Sequence, residues 1–324
     1  MCTALTINES GLYFGRTLDL DLNYNSQIVI TPRNFAFSFT NGEVQNSHYA
    51  IIGMATVSNT YPLYFDASNE EGLCIAGLNF SADAVFTSPD KVKDGIAPFE
   101  IIPYLLCNCK SVCEAKEKMK NKEIAEIPFS KNLGCAPLHW IVSDKQSSIV
   151  IEATKNGLNI CDNPLGVLTN SPPFEFQLYN LNNYINLTTK TPENRFSEHS
   201  KLTAYSNGMG AMGLPGDYSS LSRFVRATFA KFNTQAENTE QDNLRRFFEI
   251  LATVEIPKGL VKTNDGNNHY TLYSSCISAE KGIYYYKTNK SKSINAVSLF
   301  NENLNSDFLH CFPLNQEMKI KYLN

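Results

Sequence analysis

The stretch MCTALTINESGLYFGRTLDLDLNY (1–24) carries the features on which the fold turns. TALTI (3–7) and LYFG (12–15) are apolar runs on either side of NESG (8–11), a turn signal ending in glycine. They predict a hairpin. The returning strand brings Arg16 and Asp19 back beside the chain start, where residue 2 is a cysteine. Methionine is normally trimmed ahead of a small residue. Loss of Met1 would leave Cys2 with both a thiol and a free α-amine. An α-amine has a reference pKa of about 7.7–8.0, so a useful fraction is an unprotonated base at neutral pH. A nucleophile served by a chain-terminal amine is an established catalytic arrangement. The thiolate is the reactive form, and a guanidinium nearby favours it.

Further strands are expected at QIVITP (27–32), YAIIGMATV (49–57) and LCIAGLNF (73–80). Helical signals follow. Pro98 sits at a helix start that Pro103 should cut short, and KSVCEAKEKMKNKEIAE (110–126) has helical spacing. Strands return at LHWIVSD (138–144), SSIVIEAT (147–154) and GVLTNSPP (166–173). Helices are predicted over 174–187, over 218–232 with Asp217 as its cap, and over 241–254. The chain closes on strands at 269–278, 282–288 and 294–300. Blocks of strands separated by helices argue for antiparallel sheets with helices on their outer faces, an α+β class. No linker rich in Pro, Gly or Ser interrupts 1–324, so a single domain is expected.

Composition excludes several classes of function. The 324 residues carry 28 Lys+Arg and 32 Asp+Glu, a net charge of −4, which argues against a nucleic-acid binder. With 43% hydrophobic and 19% charged residues the chain can build a large core. No apolar run reaches the roughly 18 residues of a membrane span. The start lacks the pattern of a secretory signal, so no membrane insertion and a cytoplasmic location are expected. Nine cysteines are an odd and sparse set for a disulfide framework.

Other motifs are weaker. GMGAMG (208–213) matches G-x-G-x-x-G but follows no clear strand, and Pro215 interrupts the helix it should open. A glycine loop that allows close backbone approach is the better reading. Cys107, Cys109 and Cys113 lack a fourth zinc ligand at any usual spacing, and are expected to pack or lie idle. His139, beside Trp140 in an apolar strand, reads as a core histidine. No metal or cofactor is expected.

MCTALTI…YFGRTLDLDLNY with ITPRNF (30–35), NEEGLCIAGLNF (69–80), LHWIVSD (138–144), DNPLGVLTNSPPFEFQL (162–178), GLPGDYSSLSRFVRA (213–227) and EKGIYYY (280–286) together resemble the choloylglycine hydrolases. These are the bile salt hydrolases and their penicillin V acylase relatives. The resemblance runs in order along essentially the whole chain. It implies an N-terminal-nucleophile hydrolase fold, a four-layer αββα sandwich with two antiparallel sheets. It also implies that Cys2, exposed by loss of Met1, is the nucleophile, with Arg16 beside the thiol and Asp19 holding the α-amine. Asn79, through its backbone N–H, and Asn170, through its side-chain amide, would stabilise the tetrahedral oxygen, and Arg223 would complete the catalytic set. Leu18, Tyr24, Phe65, Phe129, Leu133 and Ala136 fall where similar enzymes line a steroid pocket. The implied substrates are conjugated bile salts, with amide-linked glycine or taurine, and the implied assembly is a homotetramer. Asn79 favours bile salts over penicillin V, since penicillin V acylases tend to carry a bulky aromatic there. Thr17 and Ala4 depart from the Asn and Gly of many relatives, and neither removes a reacting group. A binding protein without turnover and a cysteine-based zinc or redox module are the competing classes.

Overall fold

The computed structural model describes residues 1–92, 94–236 and 239–324. The opening hairpin forms as predicted, with β1 (Cys2–Ile7) pairing antiparallel with β2 (Tyr13–Leu20) in a register that sets Cys2 opposite Leu18. Outward from β2 lie Asn268–Ser278, Ile283–Thr288 and Asn295–Ser298, and Val167–Leu168 flanks β1 on the other side. This seven-stranded sheet also takes in Val261–Lys262. The second sheet has eight strands, in the order Gly157–Asp162, Ser148–Thr154, Leu138–Ser143, Cys74–Asn79, Tyr61–Asn69, Ile51–Ser58, Gln27–Thr31 and His310–Pro313. Every pairing within both sheets is antiparallel.

The two sheets face one another across β1, β2 and Cys74–Asn79. Helices Ser220–Asn233 and Glu240–Ala252 cover the outer face of the first sheet, and Ile101–Asn108 and Val112–Met119 cover that of the second. The result is the expected αββα sandwich. It explains why so many strands read as unbroken apolar runs: both faces are buried. Side chains alternate between two cores accordingly. Cys74, Ala76 and Leu78 join the core between the sheets, whereas Ile75 joins the core beneath Ile101–Asn108. Ile28 and Ile30 against Val29, and Val150 against Ile149 and Ile151, divide the same way.

The local differences from expectation have identifiable causes. Pro103 does not cut its helix short, because it falls in the first turn, where its missing N–H has no intrahelical partner to lose. The helix within 110–126 stops at Met119, and Glu123–Ile124 instead pairs in parallel with Gly95–Ile96. The helix predicted over 174–187 is α-helical only over Phe174–Asn180 and then tightens to a 3-10 turn. Ser219, not Asp217, caps Ser220–Asn233 by accepting from the Ser222 N–H at 3.4 Å. Asp217 stands one step behind, accepting from the Ser219 N–H at 2.8 Å and the Ser222 hydroxyl at 2.6 Å. Strand Tyr61–Asn69 escapes the sequence reading because Pro62 and Asp66 break its apolar pattern. In the glycine-rich 208–213 loop, a Cβ at Gly210 would stand 2.1 Å from the Lys190 carbonyl oxygen, so the glycine serves close backbone approach.

Candidate active site

Cys2 opens β1 at the seam between the two sheets, and its side chain is buried. Its backbone N–H donates to Asn170 Oδ1 at 2.8 Å. The Met1 amine donates to the Asp19 carbonyl at 2.6 Å, and the Asp19 N–H returns a bond to Met1 O at 3.0 Å. The Asp19 carboxylate is fully buried and accepts from the hydroxyls of Thr17 at 3.1 Å and Thr271 at 2.5 Å. Thr271 reaches it because Asn268–Ser278 carries a bulge between Thr271 and Tyr273, opposite β2.

Arg16 is wholly buried next to Cys2. Its Nη1 donates to the carbonyls of Gly77 at 2.5 Å and Phe65 at 3.0 Å. Those carbonyls are free because strands Tyr61–Asn69 and Cys74–Asn79 stop pairing at Asp66 and Ala76. A second bulge, on Tyr61–Asn69 opposite Met54 and Ala55, frees Phe65 from the ladder on its other side. Arg16 Nη2 has no hydrogen-bond partner among the described residues. Burial opposes the Arg16 charge. The Cys2 thiol, and after it Tyr273, Asp66 and Asp19, outweigh burial and hold the Arg16 pKa above its ordinary value. Behind the guanidinium lies Asp66, which sequence reasoning missed. Its carboxylate accepts from Tyr273 at 2.6 Å, Tyr284 at 2.5 Å and Ser275 at 3.0 Å. Burial still pushes the Asp66 carboxyl up, against Arg16 and those hydroxyls. The available signal was an acidic residue inside an otherwise apolar run.

Arg223 reaches in from the outer helix and is likewise fully buried. Its Nη1 donates to Cys2 O at 2.5 Å and Thr3 Oγ1 at 2.8 Å, and its Nη2 donates to Asn170 Oδ1 at 2.6 Å. Burial lowers its pKa, against the charges of Asp19 and Cys2. These bonds orient the Asn170 amide. With Oδ1 facing two donors, Nδ2 must point the other way, and it donates to Asn79 O at 2.7 Å. One Nδ2 hydrogen remains. Asn79 ends its strand. Phe80 N–H donates to Pro137 O at 2.7 Å, so the alternation of the ladder turns the Asn79 N–H to the opposite edge. That edge is the one the neighbouring strand has left. The Asn79 side chain closes a local turn onto the Ser81 N–H at 3.1 Å.

Of the six polar candidates, Cys2, Asn79, Asn170 and Arg223 are joined by hydrogen bonds, and Arg16 lies beside Cys2. Asp19 meets the Met1 amine through its backbone carbonyl, while its carboxylate is held by Thr17 and Thr271. The apolar candidates fall in two groups. Leu18 lies opposite Cys2, and the Tyr24 and Phe65 rings are in contact at 6.3 Å. Phe129 packs instead on Tyr61 and Phe99, at 5.8 and 5.2 Å. Leu133 and Ala136 share its loop, which feeds Leu138–Ser143 directly opposite Asn79. His139 is a buried core residue between Glu152 and Thr169. Cys107 and Cys109 are buried, with burial pushing the Cys109 thiol up to about 12, while Cys113 is exposed. Among the described residues no three His, Cys, Asp or Glu side chains are grouped to hold a metal ion. No helix of the described residues is long and apolar enough to cross a membrane.

Residues 2–312 match the family of linear amide C–N hydrolases, choloylglycine hydrolase family. A bile salt hydrolase/transferase of Lactiplantibacillus plantarum is 49% identical over 324 residues, covering all of both chains. Another, from Clostridium perfringens, is 38% identical over 330 residues, again covering both chains fully. A crystal structure of the Clostridium perfringens conjugated bile acid hydrolase superposes with a TM-score of 0.91 at 37% identity over the whole of both chains. Penicillin V acylase from Agrobacterium tumefaciens superposes with a TM-score of 0.76 at 21% identity, over 97% of this chain and 92% of that one. The last likeness concerns the fold alone.

Proposed function

The chain belongs to the choloylglycine hydrolase family, and on that premise we propose that it hydrolyses the amide bond of glycine- and taurine-conjugated bile salts with Cys2 as nucleophile. The observation that carries the reading is the convergence of Arg16, Asn79, Asn170 and Arg223 on Cys2, in a chain 49% identical end to end to a bile salt hydrolase/transferase. Loss of Met1 would convert the Cys2 nitrogen, already bound to Asn170 Oδ1, into a primary amine. The thiol gives its proton to that amine and the sulfur attacks the substrate carbonyl. The oxyanion so formed takes hydrogen bonds from the Asn79 N–H and the remaining Asn170 Nδ2 hydrogen. Collapse expels glycine or taurine, protonated by the ammonium, and leaves a thioester on Cys2. Water, deprotonated by the same amine, releases the bile acid. Tyr24, Phe65 and Leu18, with Phe129, Leu133 and Ala136 on the facing loop, offer apolar contact to the steroid. The penicillin V acylase alternative is less supported: the likeness to the Agrobacterium tumefaciens enzyme, at 21% identity, concerns the fold alone.

We also propose a cytoplasmic homotetramer. Between the helix at Phe174 and Leu214 the chain leaves Phe176, Tyr179, Ile185, Phe196, Tyr205 and Met212 exposed, more large apolar side chains than a monomer usually presents in one stretch. The test is amine release from glycocholate, taurocholate and penicillin V under reductant, with intact mass to establish Met1 removal. Faster release from the two bile salts, abolished in Cys2→Ala, is expected. Turnover by Cys2→Ala would refute the mechanism, and faster release from penicillin V would refute the substrate.

A further inference from the structure

Both residues assigned to the oxyanion sit next to residues held by one buried imidazole. His139 lies on Leu138–Ser143 and is fully buried. Its ring stacks on Phe80, the residue after Asn79, with centroids 4.2 Å apart and planes 6° from parallel. Its Nε2 is 2.9 Å from the carbonyl oxygen of Thr169, the residue before Asn170. A carbonyl only accepts, so Nε2 carries a hydrogen and donates it. Nδ1 faces Glu152 Oε1 at 2.9 Å. The same carboxylate accepts the Phe174 N–H at 3.1 Å, at the far end of the Asn170 turn. Gln177 closes the inside of that turn, donating to Asn170 O at 2.6 Å and Pro172 O at 2.8 Å. His139 and Glu152 are both fully buried. A buried polar pair of this kind costs desolvation and is weak evidence for stability by itself.

We propose that His139 is a positioning residue for the oxyanion donors: its ring sets Phe80, its Nε2 sets Thr169, and so it holds the Asn79 N–H and the Asn170 amide at one spacing. The inference rests on the Cys2 mechanism above. A shift of about 1 Å in a catalytic group can cost about 10²-fold in rate, and two donors, one at a strand end and one in a turn, need a common support to avoid it.

Two polar substitutions separate positioning from bulk. In Gln the amide nitrogen can stand where Nε2 stands and still donate to Thr169. In Asn the shorter amide reaches only the Glu152 side. His139→Asn is expected to lose about 10²-fold in kcat for glycocholate, the scale of a displaced catalytic group, with His139→Gln within about tenfold of wild type. KM should stay within about twofold in both, since an oxyanion contact acts in the transition state. Alkylation of Cys2 by iodoacetamide, followed on the N-terminal peptide, needs no oxyanion support and should proceed at the wild-type rate in both. Phe80→Leu removes the stacking plane without adding a polar group. It should lower kcat about fivefold or more at constant KM, on the same misplacement argument, and it keeps the test alive if the histidine variants do not fold.

Equal kcat for the Asn and Gln variants, loss of alkylation in step with kcat, or wild-type kcat in Phe80→Leu would each overturn the proposal. Cys2→Ala runs in parallel. Turnover there would instead refute the mechanism on which the proposal stands.

Discussion

Asn170 shows how much one side chain can be asked to do. Its oxygen faces Cys2 N and Arg223, and its nitrogen faces Asn79. Asn170→Ala removes one of the two proposed oxyanion donors and also leaves the Arg223 guanidinium short of an acceptor. The expected loss is about 10²–10³-fold in kcat with KM little changed, the range for a single oxyanion donor, and steady-state kinetics on taurocholate would show it. Asp66 acts at greater distance. Three hydroxyls donate to it in a fully buried place, within reach of the Arg16 charge. Asp66→Ala leaves three buried hydroxyls without their acceptor and should cost about 1–3 kcal/mol in denaturant unfolding, the penalty for buried polar groups left unsatisfied. A stability unchanged within about 0.5 kcal/mol would contradict that reading of Asp66.

At the scale of elements, the site depends on where strands stop. Arg16 finds its acceptors because two strands part after Asp66 and Ala76, and two bulges give Phe65 and Thr271 their places. The helix bearing Arg223 depends on its N-terminus in turn. Ser219→Ala should destabilise the protein by about 1 kcal/mol through loss of the cap. Hydrogen bonds from Ser219 and Ser222 hold the Asp217 carboxyl down at about 2, below its ordinary value of 3.8. A depressed carboxylate stabilises above its unfolded pKa, and the contribution fades as pH falls through the folded value. Asp217 is exposed, so Asp217→Asn should cost only about 0.5–1 kcal/mol at pH 7. Chemical denaturation at stepped pH should show the difference from wild type shrinking below about pH 4.

For the whole molecule, the sandwich places Cys2 where both sheets and an outer helix meet, so no single layer owns the site. The exposed apolar stretch from Phe176 to Met212 belongs to the same scale. Light scattering on the eluted protein should give a tetramer of the 36.3 kDa chain, and Phe196→Glu should shift it toward smaller species. A wild-type monomer would remove the case for assembly through that stretch.

The opening hairpin, the antiparallel sheets and the outer helices were all legible in the residues. Continuous apolar runs and amphipathic helical spacing are local patterns, and Cys2, Arg16 and Asp19 lie within one hairpin. The polar residues of the site could be named through ordered resemblance along the whole chain, because each motif keeps its own side chains. Asp66, the Ser219 cap and the support at His139 were not legible as what they are. An acidic residue in a strand, a serine before a helix and a histidine beside a tryptophan have no assigned partner until distant segments pack. Tertiary structure brought Arg16 to Asp66, Phe80 under His139, and Arg223 to the carbonyl of Cys2. Hydrogen bonds and charge pairs of that kind join residues far apart in the chain, and a linear pattern records a residue's own polarity but not the identity of the group that will answer it.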